Sequence, residues 1–207
     1  MFLGVVVPEQ RKVAKRFRDL TLTQIRSLLK DRYHECRLTG LLILVLKFER
    51  ASEGEREEIV AFYLEHLDHV NNWDLVDSSA DKILGRWLLD KDRDILYTLA
   101  DSDHLWRQRV SMIATYAFIK ERDFSDTIAL AEKLRDHPHD LIHKAVAWVL
   151  REIGNRDLKV GGAFLKEHAT RMPRTMLRYA IEKFPEALHE GEGQVKNVRW
   201  QEPSVRG

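Results

Sequence analysis

Arg109-Val-Ser-Met-Ile-Ala-Thr-Tyr116 is the stretch whose reading decides the fold, because its pattern recurs. Arg37-Leu-Thr-Gly-Leu-Leu-Ile-Leu44, Lys144-Ala-Val-Ala-Trp-Val-Leu-Arg151 and Arg174-Thr-Met-Leu-Arg-Tyr-Ala-Ile181 each open with a cation and continue as small and apolar residues. Asp74 begins a further segment in the same phase. Starts at 37, 74, 109, 144 and 174 are separated by 37, 35, 35 and 30 residues. A period near 35 residues with two helices per unit is the signature of an α-solenoid. One helix of each pair then lines a concave face, and the opening cations Arg37, Arg109, Lys144 and Arg174 line up along it.

Outward from these segments the periodicity stays helical. Pro8 suits a first helical turn, with Val13, Ala14, Phe17 and Leu20 on one face. Thr21 and Thr23 are candidate caps for the next helix. A third helix over 35–49 is apolar nearly all round, which predicts burial. The acidic run 55–58 falls where a helix N-terminus favours negative charge. Further helices read at 74–89, 93–100, 105–121, 126–135, 140–153, 157–169 and 174–184. No stretch alternates with period two long enough to form a strand. The expectation is therefore an all-α, α-solenoid architecture of HEAT-like helical repeats with a concave, partly basic face over 1–189. The Gly- and Pro-bearing stretch 190–207 reads as a flexible tail, with Trp200 as a residue that could dock back.

Charge and composition bound the function. The 207 residues carry 34 Lys+Arg and 33 Asp+Glu, for a net charge of +1, which argues against a generic basic coat for nucleic acid. The sum hides a pattern: residues 1–40 are net +5, 41–103 net −8 and 104–207 net +4. A 44% apolar fraction with 5 Pro and 10 Gly is that of a folded protein. The single Cys36 excludes an intramolecular disulfide framework and a Cys-rich zinc site, and points to a reducing cytoplasm. The apolar start at 1–7 lacks a basic region and a cleavage site, so it is not a secretory signal. The longest apolar run, 41–46, falls far short of the roughly 20 residues a membrane span needs. His137, His139 and His143, and likewise His66 and His69, have spacings that could hold a metal, but no further ligand accompanies them. Cys36 beside Arg37 reads either as a buried helix residue or as a low-pKa thiol.

Four residues stand out by context: Trp73 and Asp77 after Asn72, Arg109 after Trp106, and Trp148 after Lys144. The repeat phase brings them toward one cleft. Each has a plain structural reading. Asn72 is a cap and Asp74 an early-turn acid. Asp77, a poor helix-interior residue, is either an ion pair with Arg109 or a working carboxylate. Trp73 and Trp148 are core residues or ligand platforms.

The motifs Gly4-Val5-x-x-Pro8-x-x-Arg11-x-x-Ala14-Lys15, Asn72-Trp73-Asp74-x-Val76-Asp77, Leu105-Trp106-x-x-Arg109 and Lys144-Ala145-x-x-Trp148-x-Leu150-Arg151-Glu152 together resemble the DNA alkylation repair family of AlkD-type DNA glycosylases, built from HEAT-like repeats. The likeness spans about 3–185. It implies hydrolysis of the N-glycosidic bond of cationic N3- or N7-alkylated purines, 3-alkyladenine and 7-alkylguanine, in double-stranded DNA. By the same likeness Asp77 is catalytic. Trp73 and Trp148 surround the lesion nucleotide, Arg109 holds a backbone phosphate, and Lys144, Arg37 and Arg174 add DNA contacts. No metal or organic cofactor is implied. The alternative is a non-catalytic HEAT-like scaffold that binds protein or damaged nucleic acid. Family members carry helical sequence before the Gly-Val-x-x-Pro motif, so one or two N-terminal helices are expected to be absent here. A monomer is expected, with a homodimer through the apolar N-terminal end as its alternative, and no membrane partner.

Overall fold

The computed structural model describes residues 1–182, all the regular structure of which is helical. The expected tail 190–207, with Trp200, and the end of the helix expected over 174–184 lie outside the described residues. The chain runs through α1 (Val7–Arg16), α2 (Leu22–Leu29), α3 (His34–Arg50), α4 (Glu53–Glu65), α5 (Trp73–Ser79), α6 (Asp94–Ala100), α7 (Leu105–Ala114), α8 (Tyr116–Lys120), α9 (Ser125–Leu134), α10 (Asp140–Arg156), α11 (Leu158–His168) and α12 (Arg174–Ile181).

Local chemistry sets many of these boundaries. Pro8 sits in the first turn of α1, where its missing N–H costs nothing. Thr21 and Gln24 form a reciprocal capping box at α2, and Ser52 and Glu55 form another at α4. His139 caps α10, its Nδ1 accepting from the Leu141 N–H. His143 Nε2 pairs with the His137 carbonyl.

The helices stack in two layers. One layer runs α1, α3, α5, α7, α10, α12, each packed on the next; α2, α4, α6, α9 and α11 back it. This is the α-solenoid that the 35-residue spacing predicts. Its core is continuous from Ala14 to Ile181. The expected burial of α3 is observed: Leu38, Leu41, Ile43, Leu44 and Phe48 are all enclosed. Each fully buried side chain of this size contributes about 1.5–3 kcal/mol. On α1 the apolar face is narrower than expected, since Ala14 is buried but Val13 and Phe17 are exposed.

Two helices differ from their expected course. The stretch expected as one helix over 74–89 is α5, a π-helical turn Asp81–Gly85 and a 3₁₀ turn Leu88–Asp90. The Gly85 N–H donates to the Ala80 carbonyl five residues back, at 2.9 Å. A Cβ on Gly85 would lie 2.1 Å from the Ala114 carbonyl oxygen, so only glycine allows this approach to the α7–α8 junction. The helix expected over 105–121 is divided at Thr115, whose hydroxyl donates to the Met112 carbonyl.

The N-terminal segment lies along α3. The buried Glu35 carboxylate accepts from the Leu3 and Gly4 backbone N–H groups at 2.8 Å. Burial pushes the Glu35 carboxyl up, but the backbone donors outweigh it and hold it below the usual range.

Candidate active site

A groove with a volume of about 350 Å³ crosses four successive helices of the α1–α12 layer. Its walls are Trp73 and Asp77 from α5, Arg109 and Ile113 from α7, Leu141, Lys144 and Trp148 from α10, and Tyr179 from α12.

Asp77 and Arg109 form its centre. The guanidinium forks the carboxylate, with Nε 3.0 Å from Oδ1 and Nη2 2.8 Å from Oδ2. Nη1 donates to the Leu141 carbonyl at the start of α10. One side chain therefore ties three successive repeats together, with three of its five N–H groups committed. The Arg109 side chain is 7% exposed and that of Asp77 35% exposed. The fork is charge-assisted and planar, a geometry lysine cannot reproduce. Burial pushes the Asp77 carboxyl up from the usual range, with Asp74 adding to the effect; the hydrogen bonds and charge of Arg109 oppose it. The ion-pair reading of Asp77 is thus present in the structure, yet the carboxylate still faces the groove.

Trp73 opens α5 and is 53% exposed, so it is not a core residue. The Asn72 side chain accepts from its N–H at 2.7 Å and fixes where the helix begins. Trp148 is half-buried, its ring tilted against Tyr116 at a centroid distance of 4.6 Å. Tyr179, across the groove, carries the Arg151 guanidinium 4.8 Å from its ring centre. Lys144 stands at the rim and pairs with Asp140 one turn earlier at 2.7 Å.

Asp74 does more than sit in a first turn. It accepts from the Leu75 N–H and pairs with buried His34 at 2.7 Å, fastening α5 to α3. The carboxylate can only accept, so His34 Nε2 is the donor; the other nitrogen, Nδ1, is buried without a hydrogen-bond partner among the described residues.

Two of the expected DNA contacts are not brought to this groove. Arg37 turns back on the preceding loop, where Nη1 donates to the Asp31 and Arg32 carbonyls at 2.9 and 3.3 Å. Arg174, exposed at the start of α12, is not among the residues that wall the groove. Arg109 and Lys144 open their segments in the same phase and do wall the groove, which also takes residues about a turn further in. By that rule Tyr179, five residues after Arg174, occupies the place that Trp148 holds four residues after Lys144. Sequence reasoning missed Tyr179 although the signal was there. Cys36 is half-buried, and burial with Asp31 and Glu35 pushes its thiol up against the opposing charge of Arg37, which disfavours the low-pKa reading.

The arrangement sets an oriented carboxylate in an open groove walled by two indoles and a phenol, with Lys144 at its rim. Such a site can stabilise positive charge without enclosing its ligand. A comparison with curated proteins finds no match to this chain. A solved structure described as a predicted DNA alkylation repair enzyme from Enterococcus faecalis shares 18% sequence identity. It matches with a TM-score of 0.70 over 90% of this chain and 89% of that one, a likeness of fold. A family model described as DNA alkylation repair enzyme matches residues 1–184, and the chain belongs to that family.

Proposed function

We propose that the protein is a DNA glycosylase that hydrolyses the N-glycosidic bond of cationic N3- and N7-alkylated purines in duplex DNA, the opening step of base excision repair, on a cradle of HEAT-like repeats. The observation that carries this reading is the Asp77 carboxylate, forked by Arg109 and open to a groove walled by Trp73, Trp148 and Tyr179.

The chemistry fits these groups. An alkylated purine already carries positive charge, so its leaving ability needs no strong general acid. As the bond from C1′ to the base nitrogen breaks, its electron pair neutralises the base and positive charge develops on the sugar. Asp77 stabilises that charge and orients a water, whose oxygen bonds to C1′ as its proton passes to the carboxylate or to solvent. Arg109 holds the carboxylate ionised and aimed. Indole faces attract cations, which suits Trp73 and Trp148 against the lesion nucleotide. Lys144 at the rim suits a backbone phosphate. The leaving group supplies its own charge, so the step requires no metal or organic cofactor. The lone Cys36 suits a reducing cytoplasm for this activity.

The Asp77–Arg109 pair also favours a second reading, a scaffold that binds DNA without turnover, because it neutralises the carboxylate. Incubation with N-methylated duplex separates the two. Release of 7-methylguanine above the uncatalysed rate supports the glycosylase; binding with no such release supports the scaffold.

A further inference from the structure

Asp81 is the most deeply buried carboxylate on this face, with a side chain 5% exposed, and it holds two lysines. Lys82 Nζ lies 3.0 Å from Oδ1 and Lys120 Nζ 2.8 Å from Oδ2. Neither lysine side chain is buried, at 35% and 42% exposure, so the carboxylate anchors two partly exposed lysines from below. Lys82 donates as well to the Asp77 and Ser78 carbonyls, at 3.4 and 3.2 Å. Lys120 lies 4.3 Å from the Tyr116 ring centre, and Tyr116 is the ring against which Trp148 packs. Lys82 is thus tied to the backbone of the helix that carries Asp77, and Lys120 to the ring that backs Trp148.

The local backbone is unusual at the same place. Asp81 and Lys82 open the π-helical turn, and Gly85 closes it in an approach that no other residue fits. Such turns re-aim side chains and recur at functional positions. Two depressions flank Lys82, one toward α1 and one toward α8. Their walls bear five cations, Arg11, Lys15, Lys82, Arg86 and Lys120, against two carboxylates, Glu49 and Glu121. Arg11, Lys15 and Arg86 are exposed and make no ion pair among the described residues.

We infer that Lys82 and Lys120, anchored on Asp81 and flanked by Arg86, Arg11 and Lys15, form a second binding site for the phosphate backbone of duplex DNA. The Lys82 ammonium reaches back to the Asp77 carbonyl, so a phosphate held there lies beside the residue proposed to meet the damaged nucleotide. Phosphates here set the register of the duplex, so that the damaged nucleotide falls on Asp77. The inference rests on duplex DNA being the substrate, but not on turnover.

The test is the salt dependence of binding to undamaged duplex, followed by fluorescence anisotropy. The slope of log K against log salt falls by about 0.9 for each phosphate that the protein no longer neutralises. Asp81→Asn/Lys82→Gln/Lys120→Gln, which removes the anchor with its lysines, is expected to lower the slope by about 1.8. Arg86→Gln and Lys15→Gln leave the anchor intact and are expected to lower it by up to 0.9 each. An unchanged slope in the folded triple variant overturns the site. If circular dichroism shows that the triple variant does not fold, unchanged slopes in both single variants overturn it. Lost release of 7-methylguanine with a normal slope would count against the glycosylase reading alone. A lowered slope with no release would support this site alone.

Discussion

Asp77 and Asp81 lie four residues apart, and the structure gives them opposite surroundings. Asp77 belongs to α5, meets one guanidinium in a fork and keeps a third of its side chain open to the groove. Asp81 belongs to the π-helical turn, meets two ammonium groups and is sealed beneath them. An arginine fork leaves a carboxylate oriented and accessible; two lysines bridged over a buried carboxylate present their own charge outward. Residue type and near-helical spacing are shared, so the difference comes from partner geometry and from the change of helical pitch between them. Asp74, one turn earlier, is a third case, spent on His34 to hold α5 in place.

The largest expected effect breaks this comparison at Asp77. Asp77→Asn keeps the shape but removes the charge, and excision is expected to fall by about 10²–10³-fold, the loss typical of a preorganised electrostatic group. Binding to undamaged duplex should change little. The triple variant Asp81→Asn/Lys82→Gln/Lys120→Gln should do the reverse, lowering the salt dependence of binding more than the rate of the bound complex.

Gly85→Ala sharpens the contrast by attacking the turn itself. Its Cβ meets the Ala114 carbonyl at 2.1 Å, so the backbone must move. A stability loss of about 1–3 kcal/mol is expected in urea titration, with a matching loss of the Lys82–Lys120 contribution to binding. Gly85→Ala as stable as the wild type would remove the argument that the turn depends on glycine.

The repeat spacing made the layer of α3, α5, α7, α10 and α12 legible in the sequence, and with it the meeting of Trp73, Asp77, Arg109 and Trp148. The π-helical turn was not legible, because Ala80, Ile83 and Leu84 continue the apolar rhythm of a plain helix while the shift in pitch is imposed by packing against the α7–α8 junction. For the same reason Lys82 and Lys120 could not be paired through Asp81, since they come from neighbouring repeats 38 residues apart in sequence. Arg37 falls outside the groove, its Nη1 held by two loop carbonyls that no side-chain pattern reveals.

Smaller effects follow at the edges of the site. Trp73→Ala is expected to slow excision by about 2- to 30-fold, the range of a single indole–cation interaction. The acid limb of the excision rate should lie above the ordinary aspartate value of about 3.9, because burial raises the Asp77 carboxyl and only its ionised form works. Arg109→Ala removes the opposing charge, so the acid limb should move higher still. A limb that stays in place in a pH–rate profile would separate Arg109 from the ionisation of Asp77.

The smallest effect concerns the N-terminal segment. Glu35 is held below its usual value, so the stability it contributes is present above the unfolded value of about 4.3 and is lost as pH falls through the folded one. Hydrogen exchange at the Leu3 and Gly4 amides should accelerate over that window, and Glu35→Gln should weaken their protection already at pH 7.

Single-turnover release of 7-methylguanine from methylated duplex, with wild type and Asp77→Asn at saturating protein, is the most direct measurement of the central claim. Release well above the uncatalysed rate by the wild type, falling at least ~100-fold toward that rate in Asp77→Asn with duplex affinity preserved, is the predicted result. Equal release by the two proteins would contradict it.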